Sequence, residues 1–181
     1  PPDRRGTSQT RITGDHAASA GNEQKKSGRV GPMAETVKIL VVNGPNLNML
    51  GTREPETYGA MTLDEIGDKC RGVCKTHGFD MEWMQSNSEA VLIDTIQAAC
   101  SKFDWIIVNG AGLTHTSVAL RDALALFTGG VIEVHLSNIH AREEFRHTSL
   151  ITAIAKGTVI GFGASSYTMA ITAIAEMQEE S

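Results

Sequence analysis

The stretch Val131-Ile-Glu-Val-His-Leu-Ser-Asn-Ile-His-Ala-Arg-Glu-Glu-Phe-Arg146 sets groups that can move protons beside groups that can hold an anion. Glu133 and His135 stand two apart at the end of a β-branched apolar run, so in a strand both side chains point to one side. A carboxylate in that position can orient an imidazole and hold one tautomer. Ser137 and Asn138 follow, and a packed core needs neither. A helical reading comes next, with Arg142 and Arg146 four apart and therefore on one face. Together these residues predict a site for an anionic, hydroxylated small molecule. A satisfied structural histidine is the plainer alternative, and the polar strand end speaks against it.

Two further polar clusters follow apolar runs, Asn43-Gly-Pro-Asn46 and Asn109-Gly-Ala-Gly112. Each could be an ordinary turn, since these residues are turn formers. The connection from Asn46 to Gly59 is long, which favours a lid over a linker, and it carries Arg53, Glu54 and Tyr58. No Gly-x-Gly-x-x-Gly spacing or phosphate-loop lysine supports nucleotide binding. His115 and Asp122 are seven apart on one expected helix, opposite Leu120 and Leu124, and His115 is the better site candidate. His77, near a helix end, reads as structural. His140 and His147 adjoin the arginines without a metal-ligand pattern.

The elements that must position these residues begin at Val37. Five apolar runs (37–42, 79–84, 104–109, 131–135 and 158–162) alternate with helical patterns. The first helix opens on the capping box Thr62-Leu-Asp-Glu65 and ends at Gly78. Ser86-Asn-Ser-Glu89 caps the second, a third runs from about 116 to 127, the arginine helix follows strand four, and the last spans about 165–179. Such alternation predicts a parallel sheet covered on both faces, a flavodoxin-like three-layer α/β sandwich with strand order 2-1-3-4-5. In that order ligands bind beyond the carboxyl ends of the strands near the switch point, where the three polar clusters fall.

Bulk properties bound the function. A 181-residue chain, 41% hydrophobic and 20% charged, suffices for one substantial domain. Net charge is −5 without a basic stripe, which argues against nucleic acid as a partner. No apolar run is long enough for a membrane span. Cys70, Cys74 and Cys100 each share an apolar stripe and read as core thiols of a reducing, cytoplasmic compartment. Residues 1–36 are polar and aperiodic and read as a disordered, dispensable extension, with Met33 as a natural start. Its six basic residues against four acidic ones leave the domain 37–181 at −7.

With these motifs in view the chain resembles the type II 3-dehydroquinate dehydratases. The resemblance rests on Asn43-Gly-Pro-Asn-Leu-Asn-Met-Leu-Gly-Thr-Arg-Glu-Pro55 with Tyr58-Gly59, on Gln85-Ser-Asn-Ser-Glu89 and on Leu113-Thr-His-Thr-Ser-Val-Ala-Leu-Arg-Asp122. Glu133-Val-His-Leu-Ser-Asn138 and His140-Ala-Arg-Glu-Glu-Phe-Arg146 complete it. It implies a cofactor-free, metal-free lyase that converts 3-dehydroquinate to 3-dehydroshikimate, assembled as a dodecamer of trimers. It makes Tyr58 the base for the C2 proton, assisted by Arg53, and Asn46 the holder of an enolate-stabilising water. His135 becomes the acid at the C1 hydroxyl, steered by Glu133. Asn109 and the backbone at Leu136 and Ser137 would take the substrate carboxylate, with His115 and Arg146 on ring hydroxyls. Arg142 matches a further site position, and Asp122 would reach a neighbouring subunit. Gly110 departs from the family's more frequent proline or alanine and is expected to loosen its turn. The segment Gly161 to Tyr167 is family-like and reads as structural.

Two rivals belong to other classes. A metal-dependent hydrolase would use His135, His140 and Glu133. A flavodoxin-like binding or receiver module would need an acidic pocket where this chain has Asn43 and Asn46.

Overall fold

The structure, a computed structural model, describes residues 36–52 and 61–180, which lie in the unit Glu35–Ser181. Arg53 and Tyr58, with Glu54 and Gly59, lie outside the described residues, as does the extension before residue 36.

Five parallel strands, β1 (Lys38–Asn43), β2 (Asp80–Gln85), β3 (Trp105–Asn109), β4 (Gly130–His135) and β5 (Gly157–Ile160), pair in the order β2-β1-β3-β4-β5. This is the expected order, with strand bounds shifted by at most two residues. Alternation along β1 explains the layers. Ile39 and Val41 pack with Ile66 and Cys70 of α1 (Leu63–His77) and with Ile171 and Ile174 of α5 (Ser165–Glu179). Leu40 and Val42 pack on the other face with Leu92 and Ile96 of α2 (Glu89–Ala99) and with Leu120 and Leu124 of α4 (Val118–Leu126). Period two in the strand therefore feeds two cores, and each such fully buried aliphatic contributes about 1.5–3 kcal/mol.

Caps set the helix entries. Thr62 and Glu65 form the reciprocal capping box of α1, and Gly78 closes that helix at φ 70°. Ser88 caps α2.

Two helix expectations are corrected. The helix expected from about 116 to 127 is α4, and a separate short helix, α3 (Leu113–Thr116), precedes it and is divided from it at Ser117. Ser117 has extended backbone, and its Oγ accepts the Leu120 N–H at 2.8 Å, so it starts a new helix. His115 and Asp122 therefore sit on different helices, and their sequence spacing fixes no shared face. The arginine helix is also absent. Ile139–Ala141 and Glu144–Arg146 are separate 3-10 turns, with Arg142 and Glu143 extended between them. Only Ile139 of these six turn residues is buried, so no apolar face exists to hold a longer helix down.

Candidate active site

The cleft lies beyond the carboxyl ends of β1, β3 and β4, at the switch between the first and third strands, with a free volume of about 210 Å³. Asn43 and Asn109 are register partners at the ends of β1 and β3. The two loops leaving them touch. Gly44 N–H donates to the Asn109 carbonyl at 2.8 Å, and a Cβ on Gly44 would lie 2.5 Å from the Gly110 carbonyl oxygen. Glycine at 44 is thus required by the approach of one backbone to another. The turn at Gly110 is braced by a bond from Leu113 N–H to its carbonyl at 3.0 Å. A Cβ there would stand 2.6 Å from Thr114 Oγ1.

Asn46, Asn109, His115, His135, Leu136, Ser137, Arg142 and Arg146 all line this cleft. Glu133 lies behind it, with no exposed surface. Asp122 does not line it; exposed on α4, it pairs with Arg121 at 2.7 Å.

His135 Nε2 donates to Glu133 Oε1 at 2.8 Å, and both side chains are almost wholly buried. Glu133 also accepts from Ser149 Oγ at 2.6 Å and from Thr152 Oγ1. Burial alone would push the Glu133 carboxyl up, but the bonds from His135, Ser149 and Thr152 outweigh it and hold the group below its ordinary range. An ionised carboxylate only accepts, so the proton sits on His135 Nε2 and Nδ1 is the remaining nitrogen. His115 stacks against His135 with ring centroids 6.4 Å apart. Its Nδ1 donates to the Thr148 carbonyl at 2.8 Å, which leaves Nε2 as an acceptor. Burial, followed by the neighbouring His135 and Arg146 charges, outweighs that bond and holds the His115 ring below its ordinary pKa. One segment, 148–152, thus fixes both imidazoles.

The arginines reach the cleft from extended backbone and a turn rather than from one helical face. Arg142 Nη1 donates weakly to Ser137 Oγ at 3.5 Å. Glu143 lies 2.9 Å from Arg146 Nε and 3.5 Å from Arg142 Nε. Asn46 takes a left-handed backbone, φ 67°, and its N–H donates to Asn87 Oδ1 at 2.8 Å. Gln85 Nε2 supports the same point, donating to Asn87 Oδ1 at 3.0 Å and to the Gly44 carbonyl at 3.3 Å.

Behind Asn43 and Asn109 lies Tyr167, fully buried and tilted against Trp83. Burial pushes its phenol far above the ordinary range, so it is neutral and carries one proton. The sequence does not mark Ser149, Thr152, Asn87 or Tyr167 as site residues. Ser149 and Thr152 sit 16 and 19 residues from Glu133, in a run of ordinary turn formers that gives no periodic signal. Of Asn87 and Tyr167, only membership of family-like segments gave a hint.

Of the rival constellations, His140 packs against His147 with centroids 6.1 Å apart, while His135 faces Glu133 and His115. Among the described residues no group of three or more His, Cys, Asp or Glu side chains is placed to hold a metal ion.

A flavodoxin-like sheet with a carboxylate–histidine pair at its switch point, faced by a second histidine and two arginines, defines an α/β protein that handles a small anionic molecule. A family profile described as dehydroquinase class II matches residues 37–175. The chain is 51% identical over 144 residues to 3-dehydroquinate dehydratase 2 of Pseudomonas aeruginosa, spanning 80% of this chain and 97% of that one. It is 53% identical over 136 residues to 3-dehydroquinate dehydratase of Dinoroseobacter shibae, spanning 75% and 91%. The crystal structure of a type II dehydroquinase from Propionibacterium acnes superposes with a TM-score of 0.76 at 39% identity, over 78% of this chain and 97% of that one. One from Butyrivibrio crossotus gives 0.76 at 42%, over 78% and 99%. The chain belongs to the class II dehydroquinase family.

Proposed function

We propose that this chain is a hydro-lyase that eliminates water from 3-dehydroquinate to give 3-dehydroshikimate, through an enolate. The observation that carries the reading is the buried, ionised Glu133 bonded to His135 at the edge of a cleft that two arginines also line. In the proposed reaction Tyr58, assisted by Arg53, takes the C2 proton, and the electron pair moves onto the ketone oxygen. A water held by Asn46 donates to that enolate oxygen. The enolate then collapses, the C1–O bond breaks, and His135 delivers a proton so that the hydroxyl leaves as water. The carboxylate behind His135 fixes the orientation of the ring through Nε2. Asn109 and the backbone at Leu136 and Ser137 receive the substrate carboxylate, His115 and Arg146 the ring hydroxyls, and Arg142 completes the cationic wall.

The reaction needs no metal and no Schiff base in this reading. No lysine falls in any of the three strand-end clusters. The assembly is proposed as a dodecamer of trimers, acting in the cytoplasm, with residues 1–36 dispensable. Among the described residues no helix is long and apolar enough to cross a membrane. The shikimate pathway to aromatic amino acids and the breakdown of quinate both use this step.

The test is the appearance of the enone absorbance when purified protein meets 3-dehydroquinate. Activity should persist through chelation and through borohydride treatment with substrate bound. Tyr58→Phe should lose most turnover while still binding substrate, because only the proton acceptor is gone. Absence of the enone, or inactivation by borohydride, would refute the reading.

A further inference from the structure

Tyr167 rises from α5 between the ends of β1 and β3, and its hydroxyl joins their terminal asparagines. It donates to Asn43 Oδ1 at 2.6 Å and accepts from Asn109 Nδ2 at 2.8 Å. The direction of these bonds is fixed from the far end. Asn43 Nδ2 donates to the Met84 carbonyl at 3.0 Å, and a carbonyl can only accept. Asn43 must therefore turn its oxygen toward Tyr167 and take the single phenolic proton. The phenol oxygen can then only accept, so Asn109 must turn its NH2 toward it. Asn109 Oδ1 is left facing the Ala111 N–H, 3.2 Å away, on a residue held at φ 50°. With Oδ1 engaged at Ala111 and one N–H at Tyr167, the second Nδ2–H of Asn109 is left to donate, on a side chain that borders the cleft.

We propose that Tyr167 is a positioning residue for the reaction, acting through Asn109 to make that amide a donor, never an acceptor, toward the substrate carboxylate. The role rests on the proposed dehydration. An amide turned the other way would set its carbonyl oxygen against the carboxylate and repel it. Because Asn43 and Asn109 are both nearly inaccessible to water, solvent cannot replace the phenol in holding this polarity. The relay runs from β2 through β1 and α5 to β3, so the edge strand's Met84 carbonyl sets the sign of a donor at the switch point.

Tyr167→Phe keeps the ring and deletes the relay. With an active wild type, KM for 3-dehydroquinate should rise about tenfold, roughly the worth of one hydrogen bond, with kcat changing far less. Asn43→Ala frees the phenolic proton to turn toward Asn109 and should raise KM in the same direction. In an Asn109→Ala background neither substitution should raise KM further, since nothing is left to orient. A Tyr167→Phe protein that melts earlier but keeps the wild-type KM would overturn the role, as would full multiplication of the effects in the double variants. If Tyr167→Phe does not fold, Asn43→Ala and its cross with Asn109→Ala decide the same question. An inactive wild type would overturn the reaction and this role together; an active one with unmoved KM overturns the role alone.

Discussion

Glu133 shows how little of a carboxylate's behaviour belongs to the group itself. A fully buried carboxylate would ordinarily be held protonated, yet three donors keep this one ionised. Hydrogen bonds to a charged group contribute about 1.5–3 kcal/mol, and one pKa unit corresponds to about 1.4 kcal/mol. Ser149→Ala combined with Thr152→Val should therefore raise the Glu133 pKa. The acid limb of the kcat/KM profile should move up in pH while activity on the alkaline side survives. An acid limb identical to wild type would mean that His135 alone holds the carboxylate.

At the scale of elements, the site depends on breaks as much as on regular structure. Ser117 ends α3 and starts α4, and its hydroxyl also donates to Glu89 Oε1 in the first turn of α2. The break gives His115 a short helix of its own, in which the carbonyl of Thr114, the residue before it, accepts the Leu150 N–H at 2.9 Å. Ser117→Ala removes the cap and strands a half-buried glutamate interaction, so a loss of about 1–2 kcal/mol is expected in urea unfolding. The KM should rise with it, because His115 is carried by the element that loosens. A stability change under about 0.3 kcal/mol would show that backbone geometry alone sets the break.

For the whole molecule, the two site groups with a lowered pKa link stability to pH with the same sign. The folded state holds Glu133 below its ordinary value of 4.5 and His115 below its ordinary value of 6.5. In each case the unfolded chain takes up a proton first as the pH falls, so stability declines. The His115 contribution begins to fail below about pH 6.5 and the Glu133 contribution below about pH 4.5, while both are fully present at higher pH. Urea midpoints measured from pH 8 to pH 4 should fall monotonically, and a midpoint rising on acidification would contradict both assignments. By contrast, burial lifts Cys70 to about 12 and Cys74 to about 11, so neither thiol should react with iodoacetamide in the native protein at pH 7.5. Asp122 pairs with Arg121 and stands away from the cleft, and under the proposed assembly it would reach a second subunit. Asp122→Ala should weaken assembly on size-exclusion chromatography or reduce turnover without unfolding the subunit. Deleting residues 1–32 should change neither turnover nor assembly, and dissociation of the oligomer on truncation would refute their dispensability.

Sequence alone determined the layered α/β fold, because five short apolar runs alternating with capped helical patterns leave few ways to bury both faces of a sheet. It also determined that the polar clusters gather beyond the strand ends, and that Glu133 and His135 face one side, because these follow from strand geometry. Motif resemblance gave the family. Tertiary structure decided what local spacing could not. The helical spacing of Arg142 and Arg146 lost to the absence of any apolar face, and the seven-residue spacing of His115 and Asp122 lost to the cap at Ser117. Only the folded chain brings Ser149 and Thr152 to Glu133, and Tyr167 to an asparagine 124 residues away. Such bonds depend on one donor meeting one acceptor in a dry interior. A hydroxyl or amide in the sequence carries no mark of the partner that the fold will give it.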